Sequence, residues 1–222
     1  MPEYRDVHFV RDYLTAGDRF IDVGANVGVF TLTVASVAGS VAEAFEPSST
    51  AFPRLVENIE LNLPGARVHA YRAAVGREPG TVHLTMGLDA MSRIVDEAAH
   101  DVPSEEVELV SLDECFGDGG DVALVKVDVE GLEEDVLRGA SNLLARVRPT
   151  LIIEANDRQA IARVLDPLGY RQYSYDPPTS PSLRTARRTG ASQAHVARTI
   201  RHTEQKAQVE VESPTSRDVT SA

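Results

Sequence analysis

Residues 19–38 read RFIDVGANVGVFTLTVASVA. Arg19–Val23 is a short apolar run of strand type, and Val27–Ala38 is long and apolar, as a buried helix would be. Between them stand Asp22, Gly24, Asn26 and Gly28, where the first strand meets the first helix. In open α/β sheets ligands bind at the carboxyl ends of strands, beside such turns. Gly24 and Gly28 allow a tight turn and a close approach of backbone to ligand. A pyrophosphate calls for G-x-G-x-x-G and bare amides at the helix start. Here the spacing is G-x-x-x-G, and Asp22 adds a carboxylate that repels phosphate and favours a cation. S-adenosyl-L-methionine (SAM), with its sulfonium and ammonium groups and no phosphate, is a ligand of that kind.

The same rhythm continues downstream. Val41–Phe45 reads as a second strand, ended by Glu46. An acid there can accept both hydroxyls of a ribose, as in dinucleotide folds, or can be a solvated strand-end carboxylate. Thr50–Leu61 has helical spacing in Phe52, Leu55, Val56 and Ile59, and Arg67–Tyr71 is a third strand. Ala73-Ala74-Val75-Gly76 is a small-residue turn, placed to lie against an adenine ring or simply to reverse the chain. Val122–Val127 is a continuous apolar strand of the type found inside parallel sheets. The spacing predicts one helix over Leu132–Val147, a strand at Thr150–Ile153, a helix at Ala160–Leu168 and a last strand at Tyr170–Tyr175. Repeated strand–helix units imply a parallel sheet with helices on both faces. Thr81–Met86 and Val107–Leu112 alternate apolar and polar residues, which predicts an inserted antiparallel hairpin. The polar stretch 87–105 between them is either a substrate-facing lid or a surface loop.

Lys126-Val-Asp128-Val-Glu130-Gly131 crowds a lysine and two carboxylates at the end of a buried strand, and Glu154 ends the next one. Charges seldom occupy such positions without partners, so a site is expected. Asp128 would face the same crevice as Asp22. Glu130 either joins it there or opens the following helix, where the dipole favours an acid. The acids form a pocket for a cationic ligand or, through Asp128, Glu154 and Asn156, ligate one divalent ion; the pocket without a metal is the expectation.

The 222 residues carry a net charge of −12, a poor match to nucleic acid or anionic lipid. Cys115 is the only cysteine, so neither an internal disulfide nor a cysteine zinc site can form. The start, MPEYRDVHFVRDYL, does not read as a signal peptide, and no apolar run reaches membrane-span length. A reducing, cytoplasmic compartment is therefore expected. Residues 181–222 lack Phe, Tyr and Trp and hold seven basic against four acidic side chains. Such composition predicts a disordered tail over 177–222, after an N-terminal helical segment over 1–16 and one domain over 17–176.

FIDVGANVGVFTL (20–32), FEPSSTAFPRLVENIELN (45–62), VKVDVEGLEEDVLRGA (125–140) and RPTLIIEAN (148–156) resemble the FkbM family of SAM-dependent methyltransferases. The resemblance runs over 17–156 and is most specific at VDVEG followed by VLRGA. It implies the seven-stranded, Rossmann-like methyltransferase version of the doubly wound fold. It also implies transfer of a methyl group to a hydroxyl of a sugar or secondary metabolite, the acceptor being a small molecule or glycan. On that likeness Asp22, Gly24, Asn26, Gly28 and Glu46 match cofactor-binding positions; Ala74 is counted with them only from its place in the small-residue turn. Asp128 and Glu130 match an acidic motif near the methyl-transfer centre. A hydroxyl acceptor must lose its proton, and Asp128 is the first candidate base, followed by Glu130 and Glu154. His69, His83 and His100 are rivals for the base, although His69 and His83 lie on strands, where structural side chains are expected, and His100 lies in the loop. A non-catalytic nucleoside-binding module and a nicotinamide-dependent oxidoreductase remain as alternatives.

Overall fold

A computed structural model describes residues 3–37, 39–62, 67–85, 94–95, 103–117, 121–155, 157–173 and 182–186. The first half runs α1 (Glu3–Tyr13), β1 (Arg19–Val23), α2 (Val29–Ser36), β2 (Val41–Phe45), α3 (Ala51–Asn62) and β3 (Val68–Tyr71). An insertion follows: β4 (Ala74–Val75), β5 (Gly80–Thr85), β6 (Ile94–Val95), β7 (Ser104–Val110) and α4 (Leu112–Phe116). The chain then returns through β8 (Val122–Val127), α5 (Glu133–Arg138), α6 (Ser141–Arg146), β9 (Thr150–Glu154), α7 (Arg158–Leu165), β10 (Arg171–Tyr173) and β11 (Ser182–Ala186).

The main sheet has the order β3-β2-β1-β8-β9-β11-β10. It is parallel from β3 to β9, and β11 runs antiparallel to both of its neighbours. This is the doubly wound α/β arrangement that the strand–helix alternation predicts. Strand side chains alternate between the two faces. Phe20, Leu124 and Ile152 face one layer and pack with Phe9 and Val10 of α1 and Phe30 and Val34 of α2. Ile21, Val23, Val125, Val127, Leu151 and Ile153 face the other, against Val136 and Leu137 of α5, Leu143 and Leu144 of α6, and Ile161 and Leu165 of α7. Each large apolar side chain so buried contributes roughly 1.5–3 kcal/mol. Among the described residues no helix is long and apolar enough to cross a membrane.

The hairpin of the insertion forms as expected, with Thr81 opposite Glu108 and Thr85 opposite Ser104. It belongs to a second sheet of order β4-β7-β5-β6. Ala74 and Val75 are a strand of that sheet rather than a turn, paired with Leu109 and Val110 of β7. Most of the stretch 87–105, including His100, lies outside the described residues, so the choice between lid and loop falls there too.

Two further differences from the sequence pattern stand out. The single helix over Leu132–Val147 is two helices, α5 and α6, broken at Gly139-Ala140. A Cβ at Gly139 would lie 2.0 Å from the carbonyl oxygen of Gly76, so backbone packs on backbone there. Asp113 fixes the break: its N–H donates to Gly139 O at 2.8 Å, and its carboxylate accepts the N–H groups of Asn142 and Leu143, at 2.9 and 2.8 Å. That carboxylate supplies the cap that α6 does not find in its own sequence.

The second difference concerns the stretch 177–222. Within it Ser182–Ala186 is a strand, with Ser182 opposite Glu154 and Thr185 opposite Leu151. β9 is apolar and buried for most of its length, and an unpaired edge on it would leave backbone donors and acceptors unmet. Pairing satisfies them without any aromatic side chain, which is why a composition average over the tail hides this strand. The last strand in chain order among the described residues is thus β11, not β10. Residues 174–181 and 187–222 lie outside the described residues.

Candidate active site

A pocket opens beyond the carboxyl ends of β1, β2, β8 and β9. Of the expected residues, Gly24, Asn26, Glu46, Ala74, Asp128, Glu130 and Glu154 line it, together with Phe45, Pro47, Ala73, Leu84, Val129 and Leu132. Asp22 and Gly28 do not.

The turn after β1 is built from left-handed residues: Gly24 at φ 79°, Asn26 at φ 50° and Gly28 at φ 96°. An ideal Cβ on Gly24 would lie 1.9 Å from the carbonyl oxygen of Asp128, so only glycine lets the two loops close. The N–H groups of Gly24 and Ala25 both donate to Phe45 O at 3.0 Å, and Gly28 N–H donates to Ala25 O at 2.9 Å. Asn26 N–H donates to Glu46 Oε2 at 2.8 Å, and Ser48 N–H donates to Glu46 Oε1 at 2.9 Å. Each carboxylate oxygen thus takes one backbone donor and keeps capacity for another. Burial pushes the Glu46 carboxyl above its ordinary range, while the Ser48 and Asn26 amides pull it back.

Asp22 corrects the expectation that it faces the ligand. It is fully buried, its Oδ2 accepts the Thr31 hydroxyl at 2.7 Å, and its Oδ1 lies 3.7 Å from Lys126 Nζ. The cause is strand parity: Asp22 and Lys126 are register partners on β1 and β8, so both point to the α2 side of the sheet. Lys126 also donates to Asp128 Oδ2 at 3.2 Å and stands 4.9 Å from the centre of the Phe30 ring. Burial works against its charge, yet Asp22 and Asp128 outweigh that and hold the ammonium above the ordinary lysine range. Gly28 is likewise a packing residue. It begins α2, and a Cβ there would meet Leu55 of α3 at 2.7 Å.

The loop after β8 carries the acidic cluster. Asp128 N–H donates to Val23 O at 3.1 Å, and the Asp128 side chain is 30% exposed beside Lys126. Glu130 has φ 53°, a backbone state that costs a non-glycine residue about 1–3 kcal/mol and concentrates at functional sites. It does not open the helix; Glu133 does, accepting Gly131 N–H at 2.8 Å. Glu154 ends β9 at the pocket wall. His69 and His83 sit on β3 and β5 away from this lining. Asn156, the third ligand of the alternative metal reading, lies outside the described residues, and no three acids, histidines or cysteines among the described residues are grouped to hold an ion.

The family profile of the methyltransferase FkbM domain matches residues 22–176. The chain belongs to the FkbM methyltransferase family. A curated relative is the hexuronic acid methyltransferase AglP of Haloferax volcanii, 32% identical over 146 residues, which are 59% of this chain and 53% of that protein. The chain spans just over half the length of the curated relatives it matches. Among solved structures, a methyltransferase FkbM from Methylobacillus flagellatus superposes with a TM-score of 0.59 at 16% identity, over 84% of this chain and 50% of that one. A Streptococcus mutans protein described as a putative methyltransferase in complex with SAH gives a TM-score of 0.50 at 11% identity, over 83% and 96%. Both likenesses are of fold.

Within this FkbM chain several contributors went unread in the sequence. The backbone amides of Asn26 and Ser48 leave no sequence signal, because any residue supplies an N–H. Leu84 reaches the pocket from the inserted sheet, which periodicity alone cannot aim. Lys126 could be read as the partner of Asp128, two residues on, but its pairing with Asp22 needs the β1–β8 register.

Proposed function

We propose that this FkbM methyltransferase uses SAM to methylate a hydroxyl group of a sugar or secondary metabolite. One observation carries the choice of methyl donor: the amides of Gly24, Ala25, Asn26 and Gly28 are already donating within the protein. A pyrophosphate would need such amides bare, so the turn suits a nucleoside without phosphate. Glu46 offers that nucleoside the free acceptor capacity of both carboxylate oxygens for ribose hydroxyls. Ala73, Ala74 and Val75 give the adenine a flat, small-residue wall.

When bound, SAM supplies a methyl group on a positively charged sulfur. The chain's own contribution is alignment and proton handling. Asp128, Glu130 and Glu154 place negative charge where the sulfonium and ammonium would lie. Asp128 is the first candidate to take the proton of the acceptor hydroxyl, with Glu130 and Glu154 behind it. The hexuronic acid named for the Haloferax relative supports a sugar acceptor. The lining here, acidic at Glu46, Asp128, Glu130 and Glu154 and without a basic side chain among the described residues, favours a neutral sugar or polyol over an acidic one. The nicotinamide-dependent reading loses its footing with the family assignment.

Calorimetric titration with SAM, S-adenosylhomocysteine (SAH) and NAD tests this reading. SAM and SAH are expected to bind the wild-type chain and to bind Glu46→Ala far more weakly. Binding of NAD with no uptake of either sulfur nucleoside would overturn it.

A further inference from the structure

We propose that Glu105, on β7 of the inserted sheet, is a positioning residue that seats Glu46 in the nucleoside pocket; the inference rests on the reading of that pocket given above. Glu105 does not line the pocket. Its Oε1 accepts the N–H of Ser49 at 2.8 Å, and its Oε2 accepts Nη2 of Arg72. Its side chain is 15% exposed, so water competes little for the Ser49 bond, while the Arg72 bond stands nearer the surface.

Ser49 lies in the turn that carries Glu46 into α3. Three successive N–H groups of that turn have separate acceptors. Ser48 donates to Glu46, Thr50 donates to the Ser48 hydroxyl at 3.2 Å, and Ser49, between them, donates to Glu105. The outer two are satisfied inside the turn; the middle one is satisfied from another sheet. Arg72, the second partner, directly precedes Ala73 and Ala74 of the pocket wall. One carboxylate therefore ties together the turn after β2 and the loop after β3, the two segments that flank the nucleoside end. Charge-assisted bonds of this kind are short and directional, so they set geometry as well as energy. The insertion, which also contributes Leu84 to the pocket, is coupled to the cofactor edge through this contact.

Amide hydrogen exchange on the full chain and SAH titration, run on Glu105→Ala and Glu105→Gln, test the role. In Glu105→Ala the Ser48 and Asn26 amides, which bond Glu46 and do not touch Glu105, are expected to exchange about tenfold faster, and SAH affinity to fall about tenfold, the scale of one charge-assisted hydrogen bond. The Asp113 amide, bonded to Gly139 far from the turn, should keep its wild-type rate. Glu105→Gln retains an oxygen for Ser49 N–H and should recover most of both effects. Should Glu105→Ala not fold, Arg72→Ala frees the carboxylate from one side and is expected to raise the same two exchange rates about threefold, a fraction of that bond. Faster exchange at Ser49 alone, with Ser48, Asn26 and SAH affinity unchanged, would overturn the proposal. If the wild-type chain takes up no SAH, the cofactor reading fails while the exchange rates still decide the role of Glu105.

Discussion

Glu43 and Glu46 stand three residues apart on and just beyond β2, and both are buried, yet their surroundings differ in kind. Glu43 points toward the α4 and α6 side of the sheet. Side chains surround it: Arg19 Nη1 at 3.4 Å, His69 Nδ1 at 3.0 Å and the Tyr71 hydroxyl at 3.0 Å. The Tyr71 hydroxyl is pushed up to about 12, by its own burial first and by Glu43 next. Glu46 sits past the strand end and is held by backbone amides alone. A carboxylate saturated by side chains is a structural knot. One fixed by main-chain donors, with lone pairs turned to a cavity, is a receptor.

The sharpest way to break that contrast is to remove each acid in turn. Glu46→Ala is expected to weaken SAH binding on the order of a hundredfold, the loss of one or two charge-assisted hydrogen bonds, read by calorimetry. Equal losses in Glu46→Ala and Glu43→Gln would erase the distinction. A second prediction concerns acidity. Burial raises the Glu46 carboxyl, and ribose hydroxyls bond best to its ionised form, so protonation competes with binding. SAH affinity should decline as pH drops through a midpoint above the ordinary glutamate range, by about tenfold for each further unit, the slope of one proton taken up. Glu46→Gln should show no such step.

Stability should separate the two acids in the opposite sense. A folded-state pKa raised for an acid adds stability at low pH that is lost as pH rises through that value. Glu46→Gln removes this cost at neutral pH but turns its NH2 toward one of the Asn26 and Ser48 amides, so its melting shift should be smaller than that of Glu43→Gln. Glu43→Gln strands partners that are partly solvated and should lose about 1–3 kcal/mol in denaturant unfolding, with SAH affinity changed less than about threefold, since no binding contact is removed. Smallest of all on binding is Gly28→Ala. The left-handed backbone costs a side chain about 1–2 kcal/mol of stability. The Kd for SAH should stay within about twofold of wild type, because the methyl group would meet Leu55 and not the ligand.

The alternation of apolar strands and helices made the doubly wound fold legible, because period and length both carry that signal. Strand ends were legible as well: Glu46, Asp128, Glu130 and Glu154 all reach one pocket. Asp22 misled because a residue inside a strand faces one side or the other, and only the register with Lys126 says which. The break between α5 and α6 was hidden because its cap, Asp113, lies 28 residues from Ser141. Glu105 was invisible for the same reason, since its meaning depends on Ser49 and Arg72, far away in the chain.

The placement of β11 bears on how the protein is made. β10 leaves the ribosome before β11 but has no partner in the sheet until the later strand slides in beside β9. During synthesis the flank of β9 is therefore raw, and a polypeptide trimmed to the family match, residues 22–176, would stay that way. It would also lack Phe9 and Val10 of α1 and Leu14 just after it, which seal the opposite layer. Such a fragment would tend to stick edge to edge with its copies, whereas one carried through Ala186 closes its own margin.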